Sequence, residues 1–143
     1  MPQPSNLQRF LDAQQRDYAT ALAEIRGGRK RSHWMWYIFP QVQGLGYSET
    51  ARFYAIQSQQ EAEAYLQHPV LGPRLIEISE ALARLESNDA TRIMGSPDDV
   101  KLKSSMTLFA ALKGTSPVFQ RVLDKFFSGV SDEKTLQILR HNP

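Results

Sequence analysis

Apolar residues return at helical spacing along nearly the whole chain, and glycine or proline stops the pattern repeatedly. Leu7, Phe10, Leu11, Tyr18, Leu22 and Ile25 share one face, with Gln, Asp and Arg between them. This spacing predicts a helix from Asn6 to Arg26, stopped by Gly27-Gly28. Ser48 can cap a short helix to Ala55, and Ser58 with Glu61 forms a capping box for a helix to Gln67. Gly72 and Pro73 are expected to interrupt the next stretch, with regular helix starting at Pro73 and carrying Leu75, Ile76, Ile78, Leu82 and Leu85. Residues 88–95 predict one more turn. Ser96-Pro97-Asp98-Asp99 reads as cap, proline and two acids at the positive end of a helix dipole, opening a helix to Lys113. Ser116-Pro117 repeats the device for a helix to Phe127, and Ser131-Asp132-Glu133 opens the last helix, to Arg140. No strand or hairpin signal competes. The expected fold class is all-α: one compact irregular bundle of about seven helices over residues 1–143, with residues 1–5 flexible.

Length and composition agree with one core. At 143 residues a chain hides roughly two-thirds of its unfolded surface, so no staple is needed. Cysteine is absent, which excludes disulfides, thiolate zinc sites and cysteine catalysis. His33, His68 and His141 lack helical i, i+4 partners, so no metal site is expected. No cofactor motif is present either, and none is expected. Gly44-Leu45-Gly46 begins like a dinucleotide fingerprint, but its sixth position is Glu49 and no clear strand precedes it. The proline-broken start lacks the apolar run of a secretory signal. No stretch approaches the roughly 18 apolar residues of a membrane span. A cytoplasmic protein is the expectation.

Charge and aromatic residues concentrate in one region. Between Glu24 and Glu49 no acid occurs, while Arg26, Arg29, Lys30 and Arg31 do, on a chain of net charge +2. Half of all aromatic residues fall between Arg31 and Tyr54. His33-Trp34-Met35-Trp36-Tyr37-Ile38-Phe39 is apolar nearly all round and predicts a buried short helix or strand ended by Pro40. One short turn cannot bury all these rings equally, so some are expected to line a groove.

The candidate ligand-binding residues here are Arg31, His33, Trp34, Trp36, Gln41, Gly44, Gly46, Tyr47 and Ser48. Glycine lets backbone N–H groups approach an anion, and aromatic faces stack a base. Lys101, Lys103, Ser104 and Thr107 are a second candidate set, with lysine as point charge and hydroxyls as donors. Lys101 and Ser104, three apart, also raise a Ser-Lys nucleophile pair. No catalytic residue is assigned.

Arg31-Ser32-His33-Trp34-Met35-Trp36-Tyr37-Ile38-Phe39-Pro40-Gln41, then Gly44-Leu45-Gly46-Tyr47-Ser48 and Tyr54-Ala55-Ile56, resemble the signature of the domain of unknown function 1810 family. His68-Pro69-Val70-Leu71-Gly72 and Lys101 to Phe109 resemble the same family in the same order. The resemblance runs from about residue 6 to residue 142 and implies a mainly helical, mostly bacterial protein. It implies no activity and no site residues. Some members carry the label calpastatin, but calpain-inhibiting calpastatins are disordered and this composition is globular.

Three readings follow. The first is a pocket for a small phosphate-bearing or nucleotide-like anion, such as an ADP-ribose-like compound, with or without hydrolytic or transfer chemistry. The alternative is a protein or nucleic-acid interaction module presenting Arg29, Lys30 and Arg31, although the mild net charge argues against nucleic acid. The third is a stress- or toxin-associated interaction protein whose aromatics are all core. Nothing demands more than a monomer or weak dimer, and no membrane partner is expected.

Overall fold

The computed structural model describes residues 6–141, and residues 1–5, expected to be flexible, lie outside that range. Among the described residues there are nine helices: α1 (Gln8–Arg26), α2 (Met35–Ile38), α3 (Glu49–Tyr54), α4 (Gln59–Gln67), α5 (Leu71–Ala83), α6 (Ala90–Met94), α7 (Asp98–Ala110), α8 (Val118–Phe127) and α9 (Glu133–His141). The aromatic block resolves to a single helical turn, α2. The only strand-like pairing among them is one isolated parallel bridge, Val42 to Ile56. No described helix is long and apolar enough to cross a membrane.

Capping follows the sequence signals at α3 and α4. Ser48 Oγ accepts from Ala51 N–H and Ser58 Oγ from Glu61 N–H, both at 3.1 Å. Two starts differ from expectation. Helix α5 already begins at Leu71 and carries Gly72 and Pro73 in its first turn. Proline is tolerated there because first-turn N–H groups have no intrahelical acceptor. At α7 the cap position is Pro97, not Ser96, and no side chain caps it. Helix α7 also stops at Ala110, short of Lys113.

Helix α5 lies between α1 and α8, and α7 packs against α6, α8 and α9. A row of rings crosses this core. Phe10 of α1 meets Tyr65 of α4 edge-on at 5.0 Å, Tyr65 meets Phe109 of α7 at 5.5 Å, and Phe109 meets Phe119 of α8 at 5.7 Å. All four rings are fully buried.

Two buried polar side chains fix the smaller elements to α1. Arg9 donates to the carbonyls of Phe53 (2.8 Å) and Ala55 (2.9 Å) and pairs with Glu61 at 2.9 Å. A buried charge is tolerable when paired and hydrogen-bonded in this way. Gln14 donates to Tyr37 O (2.8 Å) and Tyr65 Oη (2.9 Å), tying α2 and α4 to the same helix.

Glu24, near the end of α1, organises the chain that follows. Its Oε1 accepts from Arg31 N–H (2.7 Å), Ser32 N–H (3.0 Å) and the Trp34 indole N–H (2.9 Å), and its Oε2 accepts from the Ser32 hydroxyl (2.6 Å). Burial pushes the Glu24 carboxyl up, but these four donors outweigh burial and hold it at about 2.

Two outcomes are expected. A Cβ on Gly72 would lie 2.0 Å from Leu66 O, so Gly72→Ala forces α4 and α5 apart. It should cost about 1–3 kcal/mol in chemical denaturation; an unchanged midpoint would contradict the close approach. Glu24 has a depressed folded pKa. Its stabilisation is therefore present above the unfolded value near 4.3 and is lost as pH falls toward 2. Glu24→Gln should lower neutral-pH stability by about 1–3 kcal/mol and flatten the pH dependence across that window. A variant with the parent's acid profile would refute the role.

Candidate functional site

The loop from Gln41 to Ser48 joins α2 to α3 and is pinned at its base. Ile56 N–H donates to Gln41 O and Gln43 N–H to Ile56 O, both at 2.8 Å. At its far end Gly46 lies so close to α3 that a Cβ would meet Ala51 Cβ at 2.7 Å. The loop faces α7 and the start of α9 across a cleft of about 460 Å³. Gln41, Gly46, Tyr47 and Ser48 line it from the loop, Lys101 and Ser104 from α7, and Asp132 and Lys134 from the start of α9. The two sequence segments that carry the chemistry therefore share one cleft.

Asp98 links them beneath the surface. Its Oδ2 lies 3.0 Å from Lys30 Nζ and its Oδ1 3.7 Å from Lys101 Nζ. Each ammonium also sits on an indole: Lys30 Nζ is 4.9 Å from the Trp34 ring centroid, and Lys101 Nζ is 5.3 Å from that of Trp36. The Lys30 side chain is only 7% exposed, whereas that of Lys101 is 28% exposed and reaches the cleft. One carboxylate thus serves two cations, and the outer one keeps positive charge available to the cleft.

Two hydroxyls of α7, those of Ser104 and Thr107, have structural partners, whereas the buried Ser105 hydroxyl has none among the described residues. Ser104 Oγ is 3.3 Å from both Val100 O and Asp132 Oδ2. Thr107 Oγ1 donates to Lys103 O (2.8 Å) and accepts Asp132 N–H (2.9 Å). Asp132 in turn accepts from Thr135 N–H at 3.0 Å and so caps α9. Thr107 is buried, and it shapes the end of the cleft by fixing Asp132.

The structure brings together Gln41, Gly46, Tyr47, Ser48, Lys101 and Ser104, with Trp36 against Lys101. It separates the others. Trp34 is 1% exposed in the core. His33 is exposed away from the cleft, Gly44 sits by Ile138, and Arg31 lines a different concavity. Neither Lys103 nor Thr107 lines the cleft.

Three expectations are corrected. Lys30 does not share an exposed patch with Arg29 and Arg31, because Asp98 draws it inward. The aromatics are not all core, since Tyr47 is 73% and Phe53 55% exposed. Lys101 and Ser104 line the same cleft, but Lys101 turns to Asp98 and Ser104 to Val100 and Asp132, so no Ser-Lys pair forms. Sequence reasoning missed Asp132 and Lys134, and took Asp98 for a helix-dipole acid alone. No pattern in one sequence marks a carboxylate as the partner of a lysine 68 positions away. Among the described residues no cluster of three or more His, Cys, Asp or Glu could hold a metal ion.

No curated protein matches the chain. A solved structure does: the conserved hypothetical protein Rv1873 from Mycobacterium tuberculosis is 45% identical, superposes with a TM-score of 0.94, and aligns over 96% of this chain and 99% of its own. The model of a family described as protein of unknown function (DUF1810) matches residues 4–139, a span that takes in the Trp34 segment, the Gln41–Ser48 loop and the whole of α7. With so nearly the whole chain matched, this protein belongs to the DUF1810 family.

Proposed function

We propose that the cleft between the Gln41–Ser48 loop and α7 binds a small phosphate-bearing ligand of nucleotide-like size. One observation carries the reading: segments more than fifty residues apart in sequence converge on one concavity and bring to it complementary chemistry. Lys101 supplies a positive charge whose ammonium rests between the Asp98 carboxylate and the Trp36 ring. Ser48 and Gln41 supply polar groups, and Tyr47 supplies an exposed aromatic face on the rim. A volume of about 460 Å³ falls in the ordinary range for small-molecule sites.

Lys134, at the start of α9, adds a second cation. Asp132 is the opposing charge, but its carboxylate is engaged by Thr135 and Ser104. A phosphate entering beside Lys101 gains a charge-assisted hydrogen bond, and a base or sugar lying on Tyr47 gains stacking area. The groups support binding and orientation. Nothing among them forms an activated nucleophile, so the reading stops at a ligand site.

A thermal-shift screen of the full chain against nucleotides, ADP-ribose and sugar phosphates, with tryptophan fluorescence as second readout, tests this. A true ligand at about a hundredfold excess over its Kd should raise the melting temperature by about 5–10 °C. Lys101→Gln should remove the shift, and Tyr47→Ala should weaken it about tenfold. A flat screen at millimolar concentration, or a shift indifferent to Lys101→Gln, would overturn the assignment.

A further inference from the structure

The chain leaving α1 alternates its side chains. Lys30 N–H donates to Ile93 O at 2.7 Å, which lays this segment against α6. Lys30 points inward to Asp98. Arg29 and Arg31, on either side of it, are both exposed. The same contact with α6 brings Arg92 alongside them. Arg29, Arg31 and Arg92, with the Gly27-Gly28 turn and Thr91, line a concavity of about 500 Å³.

Among the described residues, none of these three guanidinium groups has an ion pair or a side-chain hydrogen bond. The carboxylates around them are otherwise engaged. Glu24 takes the donors of residues 31–34, Asp89 accepts Arg92 N–H at 3.1 Å, and Asp99 accepts the Thr91 hydroxyl at 2.6 Å. Three permanently charged groups around one hollow repel each other until an anion enters. The guanidinium fork matches phosphate oxygens two at a time.

We propose that Arg29, Arg31 and Arg92 form a second site, distinct from the Lys101 cleft, that binds a compact polyphosphate. The concavity measures only about 500 Å³, and the chain's net charge of only +2 gives a long polyanion little to follow. A short anion with several phosphate oxygens, such as pyrophosphate or the tail of a nucleoside polyphosphate, fits both facts.

Isothermal titration with inorganic tripolyphosphate at low salt tests this, using the full chain carrying Lys101→Gln so that the first cleft is disabled. Saturable one-site binding is expected. Adding Arg92→Gln or Arg31→Gln should weaken it about tenfold or more, with the melting temperature unchanged because both side chains are exposed. No saturable binding at millimolar tripolyphosphate, or binding indifferent to both arginine variants, would overturn the proposal. So would an oligothymidylate that binds through these arginines more tightly than tripolyphosphate. Failure here leaves the Lys101 cleft untouched, since that reading stands on the ligand screen and on Lys101→Gln in an otherwise unaltered chain.

Discussion

A lysine ammonium taken out of water must find a counter-charge, and Lys30 finds it in Asp98, 3.0 Å away at the first position of α7. That pairing decides the surroundings. It draws the segment after α1 across the start of α7 and seats Lys30 on Trp34. The same carboxylate then serves Lys101, which rests on Trp36. The two indoles of one short turn thus meet the two ammonium groups that share one acid, with Lys101 reaching the cleft. Arg29 and Arg31, on either side of Lys30, are exposed.

Other polar contacts support the same arrangement from either side. Glu24 gathers four donors from residues 31–34 and sets the direction in which the chain approaches α7. Thr107 and Ser104 hold Asp132, and Asp132 caps α9, whose start lines the cleft. Gly46 admits the Gln41–Ser48 loop close to α3. The cleft is therefore walled by elements whose positions are fixed from below, with Tyr47, Lys101 and Lys134 among the side chains that line it.

Helix identity was legible because apolar spacing and caps are local. Ser48 and Ser58 do what their positions imply, and of the predicted α1 face Phe10 and Ile25 are buried while Leu7, Leu11, Tyr18 and Leu22 pack half-buried against the core. Where local rules conflict, reading failed. Gly72 and Pro73 look like breakers, yet a first helical turn accepts proline, and the contact with Leu66 O requires glycine. The aromatic and lysine segments could each be picked out, but their meeting could not, because it depends on a tertiary ion pair. Lys30 looked like a surface charge among arginines, and only its distance to Asp98 shows otherwise. Arg9 drew no notice for the same reason: its partners Phe53, Ala55 and Glu61 are far along the chain.

The Lys30–Asp98 pair is the hinge of this account, and a double-mutant cycle measures it directly. Lys30→Met, Asp98→Asn and the double variant would be compared with the parent by denaturant unfolding. A pair this buried should show a coupling energy of about 1–3 kcal/mol, with each single change costing more than the pair of changes together would imply. Additivity within about 0.5 kcal/mol would mean that Asp98 does not hold the two segments together.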